Sequence, residues 1–248
     1  MEAALMPYAW GFLLVLFRAA ALITVAPVLS IRSIPARVRM GMAVVFATAA
    51  YLGAGAPRPV VPDTLGQLAT HAAFESILGL LGALGARFLL EIASSAGHIA
   101  GLSMGLGYGA QVSPLNGSDS PAVAQLFSMV TLGIAISAGV HREALLWLCR
   151  SLQHVPPGSF ASLHELGAMA VQQGIEGLSL GARASFPLLV AVTSGHLVMG
   201  LAGRFAPQIN LQSIGFTVAI LAGGASLTLF GPGACELIAR ATVAALTH

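Results

Sequence analysis

The first long pattern in the chain is a predominantly apolar run from Tyr8 to Leu29, interrupted in its middle by Arg18. It has about the 20 residues that a membrane helix needs. The opening Met-Glu-Ala-Ala offers neither the basic region nor the small-residue cleavage site of a secretory signal, so this helix is expected to be retained. The segment from Ser30 to Arg39 is polar and carries Arg32, Arg37 and Arg39 without an acid. Pro35 separates one helix from the next there. The positive-inside rule places this basic turn, 30–39, in the cytoplasm.

A short apolar helix is expected from about Met40 to Gly55, before the proline-rich turn Ala56-Pro-Arg-Pro-Val-Val-Pro62. A helical pattern then runs from about Leu65 to Gly109. At 1.5 Å per residue it is too long for one straight crossing. It must either break or stand within a taller assembly. Ser113 to Pro121 is the clearest loop, followed by an apolar helix from Ala122 to Ala138 and its amphipathic continuation from His141 to Gln153. Val155-Pro-Pro-Gly158 ends that stretch. The last third predicts a helical hairpin. Its first arm runs from Leu163 to Gly203 with a kink at Pro187, and its turn spans Arg204 to Asn210. Its second arm, from Ile214 to Leu246, is expected to break at Gly231-Pro-Gly233. Alternating strand patterns are weak throughout. The expected fold is all-α, with roughly six to eight helices or half-helices arranged as hairpins. Region 1–160 would hold the basic turn and a loop at 105–120, and 161–248 would form the C-terminal hairpin with its turn at 204–210.

Composition sharpens this picture. Of 248 residues, 56% are hydrophobic and only 8% charged, against about 25% charged in soluble domains. Mean hydropathy is +0.86. Such a chain cannot cover a globular surface with charge, so lipid or other subunits must cover much of it. All eleven basic residues are Arg and the formal net charge is +2. They form no basic tract of the kind that binds nucleic acid. The two cysteines, Cys149 and Cys235, have no metal-ligand or redox spacing.

Two constellations stand out. Gly97, Gly101, Gly105 and Gly109 fall four apart on one face of the long helix, the small-residue spacing that lets a second helix approach closely. They also weaken the helix by about 0.8–1.0 kcal/mol each, which suits a moving part. The second constellation is charge within apolar segments, notably Arg18, Glu75, Arg87 and Glu91. Such charges face protein or water rather than lipid. Arg87 with Glu91, and Glu236 with Arg240, have the spacing of helical pairs. Glu75 has no nearby partner in the sequence and is therefore the candidate for a proton relay.

Enzyme motifs fail on inspection. Gly101-Leu-Ser-Met-Gly105 matches the nucleophile-elbow pattern but lies inside a helix rather than between strand and helix. His164-Glu165 lacks the second zinc histidine, since position 168 is Ala168. Val192-Thr-Ser-Gly195 lacks the first glycine expected of an intramembrane serine protease. The expectation is a protein without catalytic, metal or cofactor sites.

The whole chain resembles the FliR/SctT family of the flagellar and type III secretion export gate. The resemblance rests on Phe17-Arg-Ala, Ala26-Pro-Val and Ile34-Pro-Ala-Arg-Val-Arg39, and more specifically on Gly200-Leu-Ala-Gly-Arg-Phe-Ala-Pro-Gln-Ile-Asn210 with Ile214-Gly-Phe216. Glu75, Gly79, the stretch Ala96 to Gly105 and Gly139-Val-His141 also fall where that family has similar residues. Ile214-Gly-Phe216 looks more like the flagellar branch.

The resemblance implies a subunit of a hetero-oligomeric ring, formed with FliP-like and FliQ-like small hydrophobic proteins. It implies neighbours of FlhB-like and FlhA-like character and unfolded exported proteins as substrates. It implies a lipid-embedded place in the bacterial inner membrane, at the flagellar basal body. It further implies that residues 105–120 plug the closed pore. The candidate plug and gate residues are Met104, Gly105, Tyr108, Val112 and Leu115, and the candidate assembly turn carries Arg204, Pro207, Gln208 and Asn210. The rival reading is a small secondary transporter, with a site on helices broken at Pro187 and Gly231-Pro232-Gly233 and buried Glu and Arg in its pathway.

Overall fold

A computed structural model describes residues 2–30, 34–104, 122–160, 163–205 and 211–246. Among them are seven helices: α1 (Glu2–Val25), α2 (Ala36–Gly53), α3 (Leu65–Ser103), α4 (Ala122–Ser137), α5 (Val140–His154), α6 (Leu163–Phe205) and α7 (Leu211–Ala245). No strand occurs among the described residues. The protein is therefore all-α. Leu5–Val25, Leu65–Leu102 and Thr217–Ala245 are each long and apolar enough to cross a membrane.

The chain divides into two compact units, neither of them one continuous stretch. The first comprises Met1–Phe88, Ile136–Ile175 and Thr242–His248. In it α1, α2 and α5 pack around Val15, Ala19, Ala47, Ala50, Leu148 and Leu152. Alanines at the α1–α2 contact allow close approach of the two backbones. Tyr51 closes that contact: its ring meets Phe12 edge-on at 5.7 Å. Its hydroxyl lies 3.0 Å from the Tyr8 carbonyl and 3.3 Å from that of Pro57. The second unit comprises Leu89–Ala135 and Glu176–Ala241. Its core joins Ala100, Met104, Val123, Phe127 and Cys235.

Three departures from the sequence reading bear on the fold. Helix α2 starts at Ala36 rather than Met40, because Pro35 at φ −58° acts as its cap residue. The Pro35 carbonyl accepts the first helical bonds, from the N–H groups of Val38 and Arg39. Arg37 and Arg39 thus lie in the opening turn of α2, not in a loop. Helices α4 and α5 are separate, because Gly139 takes the left-handed conformation at φ +86°, which glycine adopts without a Cβ penalty.

The third difference concerns α7, which runs through Pro232 without the expected break, as α6 runs through Pro187. A proline in a helix costs about 3 kcal/mol. Burial of Cys235, Ile238 and Ala239 immediately beyond Pro232 holds the helix, since packing rather than propensity supplies most helical stability.

Candidate functional site

In the first unit Arg18 is completely buried, as are its neighbours along the apolar run of α1, Leu14, Val15, Ala19 and Leu22. The isolated guanidinium would be very costly there. Helix α3 supplies the counter-charge. Glu75 is also fully buried, with Oε2 2.6 Å from Arg18 Nε. The other carboxylate oxygen accepts the backbone N–H of Gly158 at 3.0 Å. Arg18 Nη1 donates to Ser151 Oγ at 3.2 Å and to the Val155 carbonyl at 3.1 Å. One ion pair thereby joins α1, α3, the end of α5 and the Val155–Gly158 turn.

Two glycines explain how α3 comes near enough. A Cβ at Gly79, one turn after Glu75, would run into the Arg18 carbonyl, and one at Gly82 would run into the Trp147 ring. The expectation that Glu75 lacks a partner, and so suits a proton relay, is overturned. Both of its oxygens are engaged, one of them by a group that cannot deprotonate.

Of the other two charges expected to be buried, Arg87 is half-buried and donates through Nη1 to Ser30 Oγ at 2.9 Å. Glu91 is exposed on this chain, which corrects its placement among the buried charges. Glu236 and Arg240 do pair, at 2.6 Å, but with both side chains exposed.

In the second unit Gly97 sits at a close contact between helices. A Cβ at Gly97 would lie 2.7 Å from Ala124 Cα and 2.9 Å from the Val123 carbonyl, so α3 and α4 nearly touch there. Gly101 is buried on the same face. Gly105 and Gly109 lie outside the described residues. Met104 follows the end of α3 and is 1% exposed. It packs with Val123 and Phe127 and covers Gly223 of α7 so closely that a side chain at that glycine would have to displace the methionine. The remaining candidate gate residues, Tyr108, Val112 and Leu115, lie outside the described residues. So do Pro207, Gln208 and Asn210 of the candidate assembly turn, while Arg204 stands in the last turn of α6.

Sequence reasoning missed Ser151, Gly158, Trp147 and Gly223. Gly158 read as a helix terminator and Gly223 as one glycine among 29; no one-dimensional spacing links either to its partner. Both cysteines are free thiols. Among the described residues no three His, Cys, Asp or Glu side chains group as a metal site.

The model of the family described as bacterial export proteins, family 1, matches residues 9–244. The chain is 30% identical over 224 residues to the flagellar biosynthetic protein FliR of Escherichia coli K12, covering 87% of this chain and 80% of that protein. It is 26% identical over 217 residues to the protein of the same name from Caulobacter vibrioides, covering 87% and 86%. With that of Bacillus subtilis it shares 24% over 213 residues, covering 85% and 82%.

Proposed function

The chain belongs to the FliR family of bacterial export proteins, on its flagellar branch, and from that premise we propose that it helps form the closed entry pore of the export gate. It is a membrane component of the flagellar export apparatus. In our reading it stands in the inner membrane at the basal body, in a ring with FliP-like and FliQ-like subunits, and unfolded flagellar proteins pass through that ring. FlhB-like and FlhA-like components receive or deliver the substrate beside it.

The observation that carries this reading is apolar surface beyond what membrane crossings need. Helix α6 exposes Val171, Ile175, Leu178, Phe186, Leu197 and Leu201, each more than half accessible. Its uncharged stretch, 184–203, has the length of one bilayer crossing. Side chains such as Val171, Ile175 and Leu178, outside that stretch, call for cover by other proteins, as in a subunit of a larger assembly. A conduit for extended polypeptide needs a weakly charged wall and a closure rather than a base or a nucleophile. Segment 105–120 is the closure in this reading. Met104 is its fixed root, and Tyr108, Val112 and Leu115 are its obstructing side chains.

The test begins with extraction in mild detergent. The protein should co-purify with other small hydrophobic export proteins; recovery as a monomer or small homo-oligomer would favour a transporter instead. Deleting 112–118 should then leave assembly intact and make cells expressing the gate permeable to small ions or dyes. An assembled deletion complex as tight as the wild type would show the segment to be a connector only.

A further inference from the structure

Within the second unit, α6 and α7 leave a groove of about 420 Å³ between them. Its walls are Leu180, Pro187, Phe230, Gly233 and Leu237, with Arg183 as the single charged side chain among the lining residues. Arg183 is exposed and makes no hydrogen bond or ion pair with a described residue. The nearest carboxylate along α7 at this level, Glu236, is engaged by Arg240. A guanidinium beside an apolar cleft of a membrane protein is served by water or by a polar partner, and an anion is the strongest such partner. Its planar fork matches the oxygens of a phosphate. The volume falls in the range of about 300–1,000 Å³ typical of small-ligand sites, rather than being an extended trough for a docked helix.

We propose that this groove binds an anionic phospholipid, with an acyl chain between α6 and α7 and its phosphate on Arg183. Pro187 and Gly233 shape the cleft. Gly233 supplies no side chain, and a Cβ there would meet nothing within 4 Å, so the cleft narrows only if that position is filled. The site depends on the protein residing in a membrane, not on the pore reading. A tight pore, a leaky pore or no pore leaves its test unchanged.

The test uses the full-length protein in its detergent-extracted complex, reconstituted with phosphatidylglycerol or with phosphatidylcholine. Native mass spectrometry after delipidating washes reads the retained lipid. Wild type should retain phosphatidylglycerol selectively. Arg183→Gln should lower its retention about ten- to hundredfold, the loss expected for a charge-assisted contact. Gly233→Leu should lower it by filling the cleft while leaving Arg183 in place. Equal retention in wild type and both variants would overturn the proposal. Displacement by inorganic phosphate at equal concentration, with Gly233→Leu unaffected, would reduce the site to a free-anion site and overturn it too. Retention by the isolated chain but not by the assembled complex would mean that a partner helix fills the groove, and would likewise overturn it.

Discussion

Arg18 and Glu75 are 57 residues apart in the chain, and their side chains meet at 2.6 Å with neither exposed to solvent. A buried pair of this kind is weak evidence of net stabilisation, because taking both charges out of water offsets much of their attraction. Removing one partner is different, since it leaves a charge buried alone. The pair therefore acts as a register device: α1, α3 and the turn at Gly158 must all be in place before either charge is tolerated.

Arg18→Ala or Glu75→Ala should each destabilise the protein by about 3–5 kcal/mol. The apolar double variant Arg18→Met with Glu75→Leu should recover a substantial part of that loss. Thermal unfolding in detergent, read alongside membrane abundance, measures it. If the double variant is as damaged as the sum of the two singles, the pair is not coupled and the register argument fails.

Gly97 and Gly133 should respond oppositely to the same change. Alanine at Gly97 meets the α4 backbone within 3 Å, whereas at Gly133 a methyl meets nothing within 4 Å. Gly97→Ala should lower the yield of folded protein, and Gly97→Leu should abolish it. Gly133→Ala should be neutral or stabilise by up to about 1 kcal/mol through helix propensity. Size-exclusion recovery of the three variants decides the matter; equal recovery would refute the close contact.

Met104 and Gly223 form a lock between the end of α3 and α7. Met104→Ala should cost about 2–5 kcal/mol as a cavity in a packed site. Gly223→Val should evict the methionine altogether. If Met104 roots a closing segment, Gly223→Val should raise dye uptake in cells whose gate still assembles. Unchanged permeability in an assembled complex would confine Met104 to a packing role.

Arg204→Ala should reduce recovery of the assembled complex on native gels more than it reduces membrane insertion of the chain. The reason is that the polar stretch from Arg204, in the last turn of α6, to Asn210 separates two apolar arms and needs partners for its donors, at about 1–3 kcal/mol for each one left unsatisfied. Wild-type levels of complex would remove the turn from the assembly surface.

Much of the local structure was legible in the sequence because it is set by local rules. The all-α class, the long apolar helices and the turn at Val155-Pro-Pro-Gly158 follow from periodicity, span length and proline chemistry. The family is legible too, because Gly200 to Phe216 and the Pro35 turn carry a recognisable pattern along the whole chain. The ion pair of Glu236 with Arg240 was readable because four residues in a helix bring side chains together whatever the rest of the fold does.

What tertiary structure alone decided are the relationships between distant residues and the outcome where two local rules compete. Pro232 argued for a break, and burial of the residues after it overruled that argument. Gly139 stood between an apolar helix and its expected continuation, and its left-handed backbone divides α4 from α5. Glu75 looked solitary because nothing within a helical turn could neutralise it. Its partner lies 57 residues earlier and its second hydrogen bond 83 residues later. The physical reason is common to all of these. Helix formation is written in contacts within a few residues, whereas the position of a buried charge is settled only when packed helices exclude water and leave it one partner to find.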